Sequence, residues 1–365
     1  MKIIQLIYSL ASGGAERFVV SLSNELAAMG HDVTLCMLLT AEEPKNVFNR
    51  QFLSEDVKFV SLGFEQGFSW SKVRRVENFI KNLSPDMVHC HLNVIPYIFR
   101  LSLTNPDIRF VHTLHNVAEC ASGYRIQKAI NRWFYRHEKV VPVTISQKCN
   151  ESYVDYYGLN NAKCVINGCT APVRTEMYED VVKEVEALKT DIKTPVFIHV
   201  ARFHPYKNQQ LLIESFNRLD SMGVDFVLLV VGDGYESEGR FLIDMACEKI
   251  HFLGLKGNVT DYLLCSDAFC LTSLNEGMPI SLLESLSCGL VPICTNAGGI
   301  PDVIEDGKTG MLAKDFEVDS YVGRLQEFVT NPDIIDRKAL KELFEKQYSM
   351  RVCMEKYIYI YEGTR

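Results

Sequence analysis

Short apolar runs recur along the chain at intervals that leave room for a helix between them. Through residue 146 they are "KIIQLIY", "DVTLCMLL", "VKFVSL", "DMVHCHL", "RFVHTLH" and "VVPVTIS". Runs of this length, rich in Val, Ile and Leu, read as strands buried on both faces, as in a parallel sheet. The stretch between the first two, "AERFVVSLSNELAAMG", instead spaces its apolar residues as a helix does and stops at Gly30. A second series begins near Thr194 with "PVFIHV", "DFVLLVVG", "KIHFLG", "DAFCLTS" and "VPICT", and the segment 173–193 before it is polar and charged. Strands alternating with helices imply doubly wound α/β domains. The pattern therefore predicts two of them, at 1–172 and 194–348, with 173–193 as a linker. In such sheets ligands bind beyond the carboxyl ends of the strands.

A length of 365 residues with 47% hydrophobic content fits about two globular domains. The opening apolar run is short and lacks a cleavage-site pattern, so it reads as a strand and not as a signal peptide. No window approaches the roughly 18 apolar residues of a spanning helix. The twelve cysteines are scattered singly through apolar runs without a C-x-x-C pair, which predicts reduced, buried thiols and a cytoplasmic location. In "DMVHCHL" strand alternation aims His89 and His91 to one face and Cys90 to the other. Too few ligands lie nearby for a metal, and none is expected. A net charge of −8 argues against nucleic-acid binding. Residues 1–175 carry 19 Lys and Arg against 15 Asp and Glu, and the remainder 19 against 31, so a first half at +4 precedes a second at −12.

Four stretches carry candidate chemistry. In "YSLASGGAERF", Gly13 and Gly14 make a bend between strand and helix, where free N–H groups favour an anion; a plain tight turn is the other reading. In "HVARFHPYKNQQLL", Arg202 and Lys207 follow a strand into a loop, and two cations there suit a diphosphate. "NEGMPISLLE" places Glu276 before, and Glu284 within, a helix expected from about Pro279 to Cys288 and closed by Gly289. The helix is apolar nearly all round, so a carboxylate in it needs partners; a narrow solvent stripe of Ser281, Glu284 and Ser285 is the other reading. "VPICTNAGGIPDVIEDGKTG" offers a Gly298-Gly299 turn as a further phosphate seat. Its "GKT" is not a Walker loop, because Asp302 stands where the first glycine is required.

Taken in order, "GGAERF", R-x4-K, E-x7-E and "AGGIPDVIEDGKTG" resemble the retaining glycosyltransferases of family 4, over almost the whole chain. The resemblance implies the GT-B fold, two Rossmann-like domains facing each other across a cleft, with a last helix at about 349–365 returning to the first domain through Tyr357 and Tyr361. It implies a reaction moving a hexose-type sugar from a UDP- or GDP-sugar to a hydroxyl of a glycan or lipid-linked acceptor, in surface polysaccharide or glycolipid synthesis. Arg202 and Lys207 would hold the diphosphate, Glu284 the ribose and Glu276 the transferred sugar. Gly277, Met278, Pro279 and Ile280 would lie beside the donor, and Gly13 and Gly14 under its phosphates. His115, or its neighbour His112, would face the sugar. No cofactor or metal is implied.

The acceptor side gives two open readings. "GYRIQKAINRWFYRHEK", 123–139, spaces Arg125, Lys128, Arg132 and Arg136 along a helix beside Ile126, Ile130, Trp133 and Phe134. It suits either an anionic membrane surface, on the inner face, or a solvated helix. Two rival functions share the architecture: a nucleotide-sugar 2-epimerase and a non-catalytic sugar-nucleotide-binding protein.

Overall fold

The structure, a computed structural model, describes residues 1–122 and 125–363. It divides into two units: Met1–Cys169 with the helix Met350–Glu362, and Thr170–Ser349. In the first unit, β1 (Lys2–Ile7), β2 (Asp32–Leu39), β3 (Lys58–Phe64), β4 (Met87–His91), β5 (Arg109–Leu114), β6 (Val141–Thr144) and β7 (Lys163–Cys164) form a parallel sheet in the order β3-β2-β1-β4-β5-β6-β7. In the second, β8 (Val196–Val200), β9 (Val227–Val231), β10 (Ile250–Gly254), β11 (Ala268–Leu271), β12 (Val291–Thr295) and β13 (Met311–Ala313) run parallel in the order β10-β9-β8-β11-β12-β13. Each is the doubly wound sheet that the alternation implies. β7 and β13 have two and three residues, too few for a pattern to register. Within the stretch expected as linker, the helix Tyr178–Leu188 turns Val181 and Val185 inward and belongs to the second unit.

Strand order reverses direction between β1 and β4 in one sheet and between β8 and β11 in the other. At such a reversal the neighbouring loops diverge to opposite faces and leave a crevice at the carboxyl ends. The loop after β1 carries Gly13 and Gly14. The loops after β8 and β11 carry Arg202, Lys207 and Glu276.

The first sheet has unlike faces. On one, Ile4, Leu6, Val88, Cys90, Phe110 and Leu114 meet the apolar sides of the helices Trp70–Leu83, Ile95–Thr104 and Arg125–Arg136. On the other, Gln5, His89, His91 and Thr113 are fully buried beneath the helix Met350–Glu362. A buried polar group is costly unless paired, and these are: His89 reaches the Tyr361 hydroxyl and Thr113 Oγ1, each at 2.7 Å, and Thr113 meets the Tyr357 hydroxyl at 2.9 Å. The pairing of His89 with His91 on one face, opposite Cys90, is the one that strand alternation gives. Burial holds His89 and His91 well below the ordinary histidine range, helped by their neighbouring rings. Burial lowers His112 to about 4, against the opposing effect of its bond to the Leu92 carbonyl.

Replacing Tyr357, which has no exposed surface, by Ala leaves a cavity between helix and sheet; a loss of about 3–5 kcal/mol is expected, read by urea denaturation. The histidines fix a pH dependence. Their folded pKa values lie below the unfolded value, so the unfolded chain binds more protons as pH falls. Stability is complete above about pH 6.5 and declines below it, by up to about 1.4 kcal/mol per pH unit for each buried ring. Denaturation midpoints unchanged between pH 7 and pH 5 would contradict this account.

Candidate functional site

In the second unit the site is built on β8 and β11. After β8 the chain turns through Arg202 and a single 3-10 turn, Pro205–Lys207, into the helix Gln209–Ser221. Several contacts fix this loop. The Gln209 side-chain amide donates to the Arg202 carbonyl at 2.9 Å, and the Tyr235 hydroxyl donates to the Ala201 carbonyl at 2.9 Å. Thr272 donates to the carbonyls of Lys207 and Asn208 at 3.1 and 3.0 Å. Gly232, with φ +151°, comes so close that a Cβ would meet the Ala201 oxygen at 2.0 Å. Arg202 itself is exposed, and no carboxylate pairs with it among the described residues.

Lys207 turns inward. Its ammonium lies 2.5 Å from Glu276 Oε1, and Ser273 Oγ donates to the same oxygen at 2.6 Å. Glu276 is only 9% exposed. The turn at Gly298 and Gly299 lies against its backbone: a Cβ on Gly298, whose φ is +55°, would meet the Glu276 oxygen at 2.1 Å, and the Gly299 N–H donates to that oxygen at 2.9 Å. That N–H is therefore engaged within the protein, so the turn expected as a phosphate seat supports Glu276 instead.

The helix after β11 runs from Ile280 to Cys288, and Pro279 is its cap and not its first residue. No side chain caps it, so its first N–H groups have no acceptor from that residue. Pro279 has no N–H of its own, which leaves Gly277, Met278 and Ile280 as the amide donors of the expected set. Gly277, Met278, Pro279 and Ile280 are all buried around Glu276, and Glu284 is half-buried on the helix. Ser273, Thr272, Gln209 and Tyr235 are not legible as site residues in the sequence; the S-x-x-E spacing of Ser273 and Glu276 is the one available signal.

In the first unit, the helix Gly14–Ala28 starts at the Gly13-Gly14 bend. The Glu16 carboxylate lies where a Cβ on Gly13 would stand, 2.2 Å from it, so an acidic group already accompanies this helix start. His115 follows β5; its Nε2 is 3.0 Å from His91 Nδ1, and the Phe18 ring packs edge-on to it with centroids 5.5 Å apart. Burial lowers it to about 3. His112 points to the opposite face and has both nitrogens engaged, with the Tyr135 hydroxyl and the Leu92 carbonyl, each at 2.7 Å. Of the two histidines, only His115 is partly accessible.

The helix Arg125–Arg136 keeps Phe134 in the core, contrary to its grouping with the surface residues, but leaves Ile126 76% and Trp133 44% exposed, with Ile130 between them. Of 123–139, residues 123 and 124 lie outside the described residues. Trp70, 65% exposed, and Phe68 make a second apolar surface with Phe99. No helix among the described residues is long and apolar enough to cross a membrane.

The profile described as Glycosyltransferase Family 4 matches residues 12–168, and that described as Glycosyl transferases group 1 matches residues 181–347. An uncharacterised glycosyltransferase of Haemophilus influenzae is 22% identical over 360 residues, 95% of this chain and 96% of its own. The UDP-Gal:alpha-D-GlcNAc-diphosphoundecaprenol alpha-1,3-galactosyltransferase of Escherichia coli is 25% identical over 266 residues, 67% of each chain. An Anabaena protein, HepE, solved in complex with UDP and glucose, shares the fold over 100% of both chains, with a TM-score of 0.80 at 15% identity. None of these three is named as an epimerase. Two profiles that between them run from residue 12 to residue 347, on a fold shared from end to end, settle the family: the chain belongs to the glycosyltransferases of the GT-B fold, of the family 4 and group 1 type.

Proposed function

We propose that the protein is a retaining glycosyltransferase that moves a hexose-type sugar from a UDP- or GDP-sugar to a hydroxyl of a glycan or lipid-linked acceptor. The observation that carries this reading is the Lys207–Glu276 pair at the strand-order reversal of the second sheet, beside the exposed Arg202 and the uncapped start of the helix Ile280–Cys288. An ammonium has three N–H donors; one meets Glu276, and the others can take the diphosphate. The UDP in the Anabaena structure and the diphosphate-linked acceptor named for the E. coli relative support the choice of donor and acceptor classes.

Arg202 and Lys207 hold the diphosphate in this proposal, Glu284 the ribose and Glu276 the sugar hydroxyls. Gly277, Met278 and Ile280 line the donor, Gly13 and Gly14 serve its phosphates, and His115 serves the sugar. As the anomeric C–O bond breaks, negative charge grows on the diphosphate and positive charge on the sugar. Fixed cations and N–H dipoles stabilise the first. The acceptor oxygen then bonds to the anomeric carbon from the face the diphosphate leaves, and its proton passes to a diphosphate oxygen. The configuration is retained, Glu276 forms no covalent bond, and no metal takes part.

We further propose that the first unit docks on an anionic membrane. Ile126, Ile130 and Trp133 follow one another at helical spacing on an exposed face, among Arg125, Lys128, Arg132 and Arg136. Apolar side chains flanked by cations suit the headgroup boundary.

Assays across UDP- and GDP-sugars, with and without acceptor, should find slow donor hydrolysis for one donor and no free epimerised product. Arg202→Ala and Lys207→Ala should each lower kcat by roughly 10²–10³, about 2.7–4 kcal/mol. A product of inverted configuration by NMR, or a trapped glycosyl-Glu276 adduct, contradicts retention without a nucleophile. In sedimentation with anionic liposomes at low salt, the protein should pellet, and the triple change Ile126→Ser, Ile130→Ser, Trp133→Ser should abolish pelleting.

A further inference from the structure

His115 ends a chain of hydrogen bonds that runs through the buried polar face of the first sheet. His115 Nε2 meets His91 Nδ1 at 3.0 Å, His91 Nε2 meets Gln5 Oε1 at 2.7 Å, and Gln5 Nε2 donates to the Tyr361 hydroxyl at 3.4 Å. The Tyr361 hydroxyl also meets His89 Nδ1 at 2.7 Å, and His89 Nε2 meets Thr113 Oγ1 at 2.7 Å. Gln5, His89, His91 and Thr113 have no exposed surface, so water does not compete for the bonds among them.

The chemistry of the amide sets the direction of the whole chain. Gln5 Oε1 can only accept, so His91 carries its proton on Nε2 and donates. A neutral imidazole with that proton has a lone pair on Nδ1, and so His115 Nε2–H must donate to it. Neutral His115 then has its lone pair on Nδ1. On the other side the Gln5 amino group donates to Tyr361, the Tyr361 hydroxyl donates to His89 Nδ1, and His89 Nε2–H donates to Thr113. Every bond is satisfied in the arrangement that this orientation of the Gln5 amide selects, and burial favours the neutral rings that it needs.

We infer that Gln5 and His91 are positioning residues that hold His115 with its proton on Nε2 and its Nδ1 free to accept. Resting on the proposed function, in which His115 serves the transferred sugar, this makes the ring a specificity element: the sugar group that meets Nδ1 has to be a donor, such as a hydroxyl. A sugar with a deoxy carbon or a carboxylate there leaves the lone pair unpaired or faces it with another acceptor, and is rejected. Gln5 lies in the first strand and touches no substrate; it acts through the proton positions of two rings.

The test is the tautomer itself. In protein labelled with ¹⁵N-histidine, the His115 signals, identified by their loss in His115→Ala, should show a protonated Nε2 and an unprotonated Nδ1. Gln5→Met, close in volume but unable to direct His91, should give a mixture of tautomers and lower kcat roughly 10–100-fold, the scale for losing a ring's orienting partner, with donor KM little changed. Adding His91→Asn, which can place an acceptor oxygen near the Nδ1 position, to Gln5→Met should restore the tautomer and part of the rate. A wild-type signal with the proton on Nδ1 overturns the inference, as does Gln5→Met with tautomer and kcat unchanged. If His115→Ala leaves donor turnover intact, the role of His115 fails instead, and the spectrum still decides the tautomer.

Discussion

The second unit is organised around one ion pair, Lys207 with Glu276. Bringing a carboxylate and an ammonium out of water costs nearly what their attraction returns, so such a pair adds little to stability. Its value is geometric. Two loops from neighbouring strands must be held in register for it to form, and the surrounding contacts do this through the backbone. Thr272 ties the Lys207 turn to the end of β11, while Gly298 and Gly299 press against the peptide of Glu276. Ser273 fixes the carboxylate oxygen that Lys207 meets. The side chains are therefore held by contacts within the protein, the kind of fixed placement that spares a transition state the cost of rearranging charges.

The same pair links the two ends of the proposed chemistry. Lys207 touches the group proposed to hold the sugar and also faces the proposed diphosphate. An arginine would present its donors as a flat fork; the ammonium, a compact charge with rotatable donors, can serve a carboxylate and a phosphate at once. Arg202, exposed and without a carboxylate partner among the described residues, is the cation proposed for the planar contact. The two cations are thus unlike in environment as well as in chemistry, a difference that the R-x4-K spacing does not reveal.

Sequence pattern revealed the architecture because both sheets are buried on both faces, and their strands stand out as apolar runs between helices. It failed where that contrast fades: β7 and β13 are too short, and the helix Tyr178–Leu188, apolar on one side only, hides in a charged segment. The charged members of the candidate site were legible because ionisable groups next to apolar strands need a reason. Their supports were not. Gly298 and Gly232 are recognisable only when the backbone crossing above each is known, and Gln209 and Thr272 act through carbonyl groups that a sequence does not locate. The Gly298-Gly299 turn shows the limit well, since a glycine pair before a helix turn looks alike whether it admits a phosphate or another peptide.

His112 and His115 show how a period of two separates residues of one type. They are three apart, so they fall on opposite faces of β5 and its continuation. His112 enters the apolar face, where Tyr135 and the Leu92 carbonyl use both its nitrogens. His115 joins the polar face, where His91 meets its Nε2 and its Nδ1 is the atom proposed to meet the sugar. That polar face could have been filled with Val and Leu, as its counterpart is, and an apolar filling would fold without needing each bond satisfied. A row of groups that must all be paired has one property an apolar layer lacks: it fixes where protons lie. The helix Met350–Glu362 completes the row through Tyr361 and Tyr357, so the last helix of the chain helps to set the proton on a histidine beyond β5, and its return to the first unit has a chemical consequence as well as a packing one.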